Sequence, residues 1–175
     1  MARLIELGTI FGLRVNAHTT AFYAFLILWL VLGLVGALGL GLPPLMAALG
    51  GLIAAFLHYF AELLHHLGHA FAARRTGYPM SGLTYWWFLA ASRYPKDEGE
   101  LPAQVHIRRA LGGPLFSLLI SMLAAVIAIL VSPLGELAWW LAVFFTLDNF
   151  LVFTLGSLLP LGFTDGSTLL YWRNR

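Results

Sequence analysis

The sequence predicts a mainly α, polytopic membrane protein: about four transmembrane helices with a small β-like interfacial element, read as a single domain over residues 1–175. Three observations predict it. Of 175 residues, 60% are hydrophobic and only 10% charged, and the mean hydropathy is +0.84, far from the balance of a water-soluble domain. A span needs about 20 mostly apolar residues, and the chain offers four such stretches, about 19–40, 45–73, 110–131 and 135–160. In such a four-span arrangement the basic residues Arg3, Arg14, Arg74, Arg75, Arg93, Lys96, Arg108, Arg109, Arg173 and Arg175 all fall on one side. The positive-inside rule makes that side cytoplasmic, so both termini are expected in the cytoplasm and the protein in the cell's inner or plasma membrane.

The elements follow in order. Residues 4–16 alternate loosely and hold two glycines, which predicts short strands or an interfacial hairpin. The first apolar stretch is too long for a signal-peptide core and is expected to stay as an anchor. Pro43 and Pro44 part the first two spans, because proline is tolerated in a helix's first turn, where its missing donor has no partner. Arg74, Arg75, Gly77 and Pro79 mark the end of the second span. Residues 83–89, Leu-Thr-Tyr-Trp-Trp-Phe-Leu, suit strands or a headgroup belt, and a polar loop follows at 96–100. The third span is expected to open near Ala110, with Gly112 and Gly113 inviting close helix approach and Pro114 near its start. The last ends in Leu158-Leu159-Pro160, with Asp165 just beyond. The glycines at 33, 36, 39 and 41 read as a packing signal.

Composition narrows the chemistry. With no cysteine, disulfides, thiolate nucleophiles and cysteine metal ligands are excluded. The basic excess suits anionic lipid headgroups, and no basic run with interleaved aromatics suggests nucleic acid.

The chemistry lies in the second span. On a helix that turns about 100° per residue, His58, Glu62, His65, His66 and His69 share an arc of about 100°. Ionisable groups at that depth are read as functional. His65 and His69 are four apart, so their imidazoles can meet at one metal ion. A hydrolytic zinc site takes three protein ligands and leaves a position for water. Asp165, at the same end of the bundle, is the best third ligand by topology, with Glu62 and Asp148 as the other acidic candidates. His58 reads as a packing or hydrogen-bonding residue, and Asp148 with Asn149 as a structural link between spans.

These residues resemble the site-2 protease family, the intramembrane zinc metalloproteases, over nearly the whole chain. Phe11 to His18 resembles the family's entry to its first span, and His65-His66-Leu67-Gly68-His69-Ala70 its HExGHAxxA helix. Gly113-Pro114 resembles the opening of a later span, and Leu158-Leu159-Pro160 with Asp165-Gly166 the segment whose aspartate is the third ligand. The resemblance implies one zinc ion at His65, His69 and Asp165, and a transmembrane protein or peptide as substrate. His66 stands where the family keeps its glutamate base, and Ser117 and Ser157 where it usually has asparagines. His66 itself or Glu62, four residues before it, is the candidate base. Two other readings compete. One is a catalytically inactive relative that binds membrane proteins. The other is a divalent-metal transporter, which would spread its ligands along a path.

Overall fold

In the computed structural model, which describes residues 3–175, the chain forms two small strands, two long helices, two further strands and a second pair of membrane-length helices. Strands β1 (Leu4–Ile10) and β2 (Leu13–His18) form an antiparallel hairpin. Its two-residue turn has φ of 49° at Phe11 and 80° at Gly12, the left-handed geometry that follows the twist of paired strands. Helix α1 (Thr19–Leu34) runs into a π-helical turn at Val35–Gly39, and α2 spans Pro44–Arg75 with proline at its start and two arginines in its last turn. Strands β3 (Gly82–Trp86) and β4 (Leu89–Arg93) make the second hairpin. The sheet order is β1-β2-β3-β4, with β2 and β3 parallel. Helix α3 covers Ala103–Val131, and α4 (Glu136–Leu147) continues through a π-helical stretch at Asp148–Leu155. A short α5 (Asp165–Trp172) closes the fold.

Four helical segments, Thr19–Gly39, Pro44–Arg75, Ala103–Leu134 and Glu136–Leu158, are long and apolar enough to cross a membrane. The protein is an integral membrane protein, mainly α, and its β element is a four-stranded sheet. The outward faces of the first and third of these segments expose Leu26, Leu30, Leu38, Ile129 and Leu130, side chains that suit lipid and would be unfavourable in water.

A cluster of buried apolar side chains lies where the sheet meets α2. Leu13, Val15, Ala17, Leu83 and Tyr85 from β2 and β3 bury against Leu67, Ala70 and Ala73 of α2. Leu83 is fully buried, a placement that contributes on the order of 2 kcal/mol for a side chain of its size. Because β2 leads directly into α1 and β3 follows α2, the sheet ties the start of one span to the end of the next. The site is thereby set at one end of the bundle.

Two expectations differ from the structure. Helix α3 begins at Ala103, earlier than Ala110, so Pro114 lies inside the helix and Arg108 and Arg109 lie on its first turns. The apolar pattern reveals only the part of a helix that lies in lipid, and Pro102 starts this one outside it. The glycine set also divides. Gly33 and Gly36 face Ala47 of α2 across a close crossing, whereas Gly41, with φ of 69°, is a turn residue and meets nothing.

Candidate metal centre

Close approach of α2 and α3 creates the space. A Cβ at Gly68 would run into the Gly112 carbonyl, so both glycines are needed for the crossing. A Cβ at Gly113 would lie 2.6 Å from His65 Nε2, which means that the α3 backbone is laid directly against the two imidazoles.

His65 and His69 sit one turn apart on α2 and are both buried. Their Nε2 atoms are 3.0 Å apart. Asp165, the first residue of α5, brings Oδ2 to 3.3 Å from His65 Nε2 and Oδ1 to 3.4 Å from His69 Nε2. These three ligand atoms lie within 4.8 Å of one another. Tetrahedral zinc with bonds of about 2.0–2.1 Å sets its ligands about 3.4 Å apart, close to the observed separations.

The outer nitrogens of the same rings are held as well. His69 Nδ1 lies 2.8 Å from the Arg109 carbonyl oxygen, which makes Nδ1 the donor and leaves the Nε2 lone pair facing Asp165. His65 Nδ1 is 3.0 Å from Ser117 Oγ. With Nδ1 of His69 protonated, two imidazole edges and a carboxylate point electron pairs at a common centre, an arrangement that a divalent cation relieves. The residues therefore fit a metal of the zinc type.

Asp165 is positioned by its own surroundings. Gly166 allows α5 to start against the Leu158 carbonyl, where a Cβ would collide. Ser167 Oγ accepts from Gly162 N at 2.7 Å, tying the loop after the last span. At the far end of α5, Trp172 stacks on His106 of α3 with centroids 4.2 Å apart and planes within 2°.

The other side of the same helix turn meets the β3–β4 hairpin. His66 Nδ1 is 2.9 Å from Ser92 Oγ, and its Nε2 is 3.4 Å from Glu62 Oε1. Glu62 Oε1 accepts from Ala90 N at 2.5 Å, while Glu62 Oε2 is buried without a hydrogen-bond partner among the described residues. Deeper still, His58 Nδ1 lies 3.1 Å from Asp148 Oδ2 and its Nε2 2.9 Å from the Phe88 carbonyl. Both nitrogens of His58 face acceptors, so the ring links Asp148 of the last span to the hairpin turn. Tyr59 donates to the Trp87 carbonyl at 2.6 Å.

Thus His65, His69 and Asp165 come together, Glu62 and His66 form an adjacent pair, and Asp148 is engaged by His58 away from the three-ligand cluster. Sequence reasoning did not single out Ser92 or the Arg109 carbonyl. A lone serine in a strand carries no periodic signal, and a backbone acceptor carries none at all. Arg109 also forms a two-pronged ion pair with Glu98, at 2.5 and 3.0 Å, and lies 4.1 Å over the Tyr94 ring, pinning the loop before α3. Burial pushes the Tyr94 hydroxyl up to about 12.

No protein-family model matches the chain. It is 32% identical over 187 aligned residues to a protein named as a zinc metalloprotease, Rip3, in two strains of Mycobacterium tuberculosis. That alignment takes in 99% of this chain and 45% of the relative, so the chain spans about half the length of the curated relatives it matches. Its fold is similar to the Site-2 Protease from Methanocaldococcus jannaschii, with a TM-score of 0.67 and 19% identity over 96% of this chain and 70% of that one.

Proposed function

We propose that the chain is a member of the site-2 protease family, a membrane-embedded zinc peptidase that cuts transmembrane protein segments, with a catalytic base unlike that family's glutamate. His65, His69 and Asp165 would hold the zinc, and residues 1–175 would act as one membrane-embedded unit. The observation that supports this reading is the convergence of those three side chains, both imidazoles oriented by a further partner, at a separation that suits a tetrahedral ion.

A zinc ion held there would supply Lewis-acid chemistry, polarising a carbonyl and lowering the pKa of water toward neutrality. The chain's own groups do the rest. Asp165 and the two Nε2 lone pairs would hold the ion, and the Arg109 carbonyl and Ser117 Oγ keep both rings from turning. The base is assigned to the Glu62–His66 pair, which takes the proton from the attacking water and returns it to the leaving amine. Within that pair Glu62 Oε2 is the one uncommitted oxygen. The clustered basic residues support a cytoplasmic placement of both termini in a cell's inner or plasma membrane.

A specific observation favours a second reading, that of an inactive relative which binds membrane proteins: both ring nitrogens of His66 are already engaged, by Ser92 and by Glu62. The transporter reading has less support, because the ligands meet at one point and do not line a path.

The test is cleavage of a model transmembrane substrate by purified, zinc-quantified protein, comparing the chain as it stands with His66→Glu, Glu62→Gln and Asp165→Ala. Under the proposal the unmodified chain cuts, and both Asp165→Ala and Glu62→Gln abolish cutting. One bound zinc with cutting only after His66→Glu would assign the chain to the binding class.

A further inference from the structure

The sheet has a second face that the metal centre does not use. Leu13, Val15, Ala17, Leu83 and Tyr85 bury against α2, so the alternate residues of the same strands project the other way. Strand register orders them in rows. In one row Thr9 pairs with Arg14, Arg14 with Gly82 and Gly82 with Arg93, which sets two arginines on one face with a glycine between them. Two strand spacings part their backbones by about 10 Å, a gap that two guanidiniums can close on a single phosphate. Both are exposed, and among the described residues the arginine that forms an ion pair is Arg109, with Glu98. The next row holds Glu6, Asn16, Thr84 and Ala91. Thr84 is 4% exposed, and its hydroxyl has no hydrogen-bond partner among the described residues. Beyond that row Leu4 pairs with His18, and the exposed Trp86 with Leu89. Over four residues of strand, about 13 Å, the face passes from cationic through polar to apolar.

That gradient has a direction in the fold. At the arginine end the Phe11 carbonyl of the β1–β2 turn accepts from Arg74 at the close of α2, and at the apolar end β2 runs straight into α1 at Thr19. The apolar end therefore lies toward the hydrocarbon. We propose that this outer face binds one anionic phospholipid, its phosphodiester held between Arg14 and Arg93 and its upper acyl chain laid on Trp86 and Leu89. A headgroup layer is about 5–8 Å thick, so a lipid with its phosphate at the arginines brings its first acyl carbons to the aromatic end. Thr84 supplies a donor between the two, at the level of the ester oxygens. Gly82 keeps the notch between the arginines open, because a Cβ there would lie 3.2 Å from Arg14 Cβ and collide with the Arg14 carbonyl. Glu6 is the one acidic group in these rows, and its carboxylate opposes the anion. The other side of β4 carries Ala90 and Ser92, so a lipid seated here backs the strand that contacts Glu62 and His66. This inference does not rest on the peptidase reading.

The test titrates dioleoyl phosphatidylglycerol into the full, zinc-loaded chain in detergent and counts retained lipid by native mass spectrometry, with dioleoyl phosphatidylcholine as the zwitterionic control. One phosphatidylglycerol per chain is expected, bound about tenfold or more tighter than phosphatidylcholine. Arg14→Gln and Arg93→Gln should each weaken it about fivefold, and Glu6→Gln should tighten it a few-fold. Arg75→Gln and Arg173→Gln, exposed cations outside these rows, should leave it unchanged. All five substitutions lie on the surface, and unchanged zinc content in each reports an intact fold. A second measurement is independent of the arginines. Phosphatidylglycerol with brominated acyl chains quenches tryptophan fluorescence, and Trp86→Phe should remove the part of the quenching that phosphatidylcholine does not reproduce. Equal retention of the two lipids, equal losses from Arg75→Gln and Arg14→Gln, or quenching indifferent to Trp86→Phe would each overturn the proposal. So would displacement of the lipid by millimolar inorganic phosphate, which would mark a site for a free anion. A chain that holds zinc and lipid yet cuts no peptide would leave it standing.

Discussion

One turn of α2 presents two faces that are built differently. The metal-facing side, His65 and His69, is held by helices: the Arg109 carbonyl and Ser117 from α3, and Asp165 at the start of α5. The neighbouring edge of the same stripe, His66 and Glu62, is held by a strand, through Ser92 and Ala90 of β4. The first face matches the ligand pattern of the site-2 proteases that the sequence resembles, and the second departs from it. Ligand geometry tolerates little error, because bond lengths to an ion are fixed to a few tenths of an ångström. A base needs only reach and a free electron pair, so its identity can drift while the ion's ligands stay.

Perturbing each face separately tests that contrast. Asp165→Ala removes one of three ligands and is expected to weaken zinc binding by about a thousandfold or more, read by metal analysis after dialysis. Gly113→Ala places a methyl group against both imidazoles and should cost about a hundredfold in zinc affinity while the far half of the bundle stays folded. A variant that still binds zinc at full strength would show that α3 does not press on the ligands. On the other face, His66→Glu should leave zinc content unchanged and raise peptide cleavage by about a hundredfold, the usual range for a positioned base. Loss of zinc in that variant would mean that the two faces are coupled, contrary to the separation drawn above.

Smaller effects come from the supports. Ser117→Ala removes the partner of His65 Nδ1, and zinc affinity should fall about tenfold with stoichiometry intact. Trp172→Ala deletes the ring stacked on His106 and loosens the helix that carries Asp165. Zinc dissociation should quicken by a few-fold, and Trp172→Phe should restore it, since an offset aromatic pair contributes about 1 kcal/mol.

The legibility of these parts in the sequence follows the range of the forces that shape them. The stripe on α2 could be read because helical period and hydropathy are local properties, and ionisable residues stand out against an apolar run. The strands around the aromatic run could be read for the same reason. The true start of α3 could not, because helix geometry carries on past the lipid boundary where the apolar signal stops. The π-helical stretch at Asp148–Leu155 had no signal either, its wider turn depending on which side chains meet the neighbouring spans. Helix α5 is only eight residues long and owes its order to Gly166 and to the Trp172–His106 stack. Asp165 could therefore be named from topology, whereas the element that presents it could not. Ser92 reaches His66 across a contact between a strand and a helix 26 residues apart, and nothing in the local pattern announces such a pairing.

The parallel pairing of β2 with β3 has a consequence for assembly. Arg14 pairs with Gly82 and Ala17 with Tyr85, and everything between these strands is two membrane-length helices and their turn. The sheet's central seam cannot close until both helices have entered the bilayer and turned back to the same side. Contacts of such long sequence separation form late, because loop closure must precede them. Strand β4 joins the sheet only through β3. The hairpin that engages Glu62 and His66 therefore reaches its place only after both of those helices are in position, and a chain halted before that seam forms would leave that part of its histidine stripe without the strand contacts of Ala90 and Ser92.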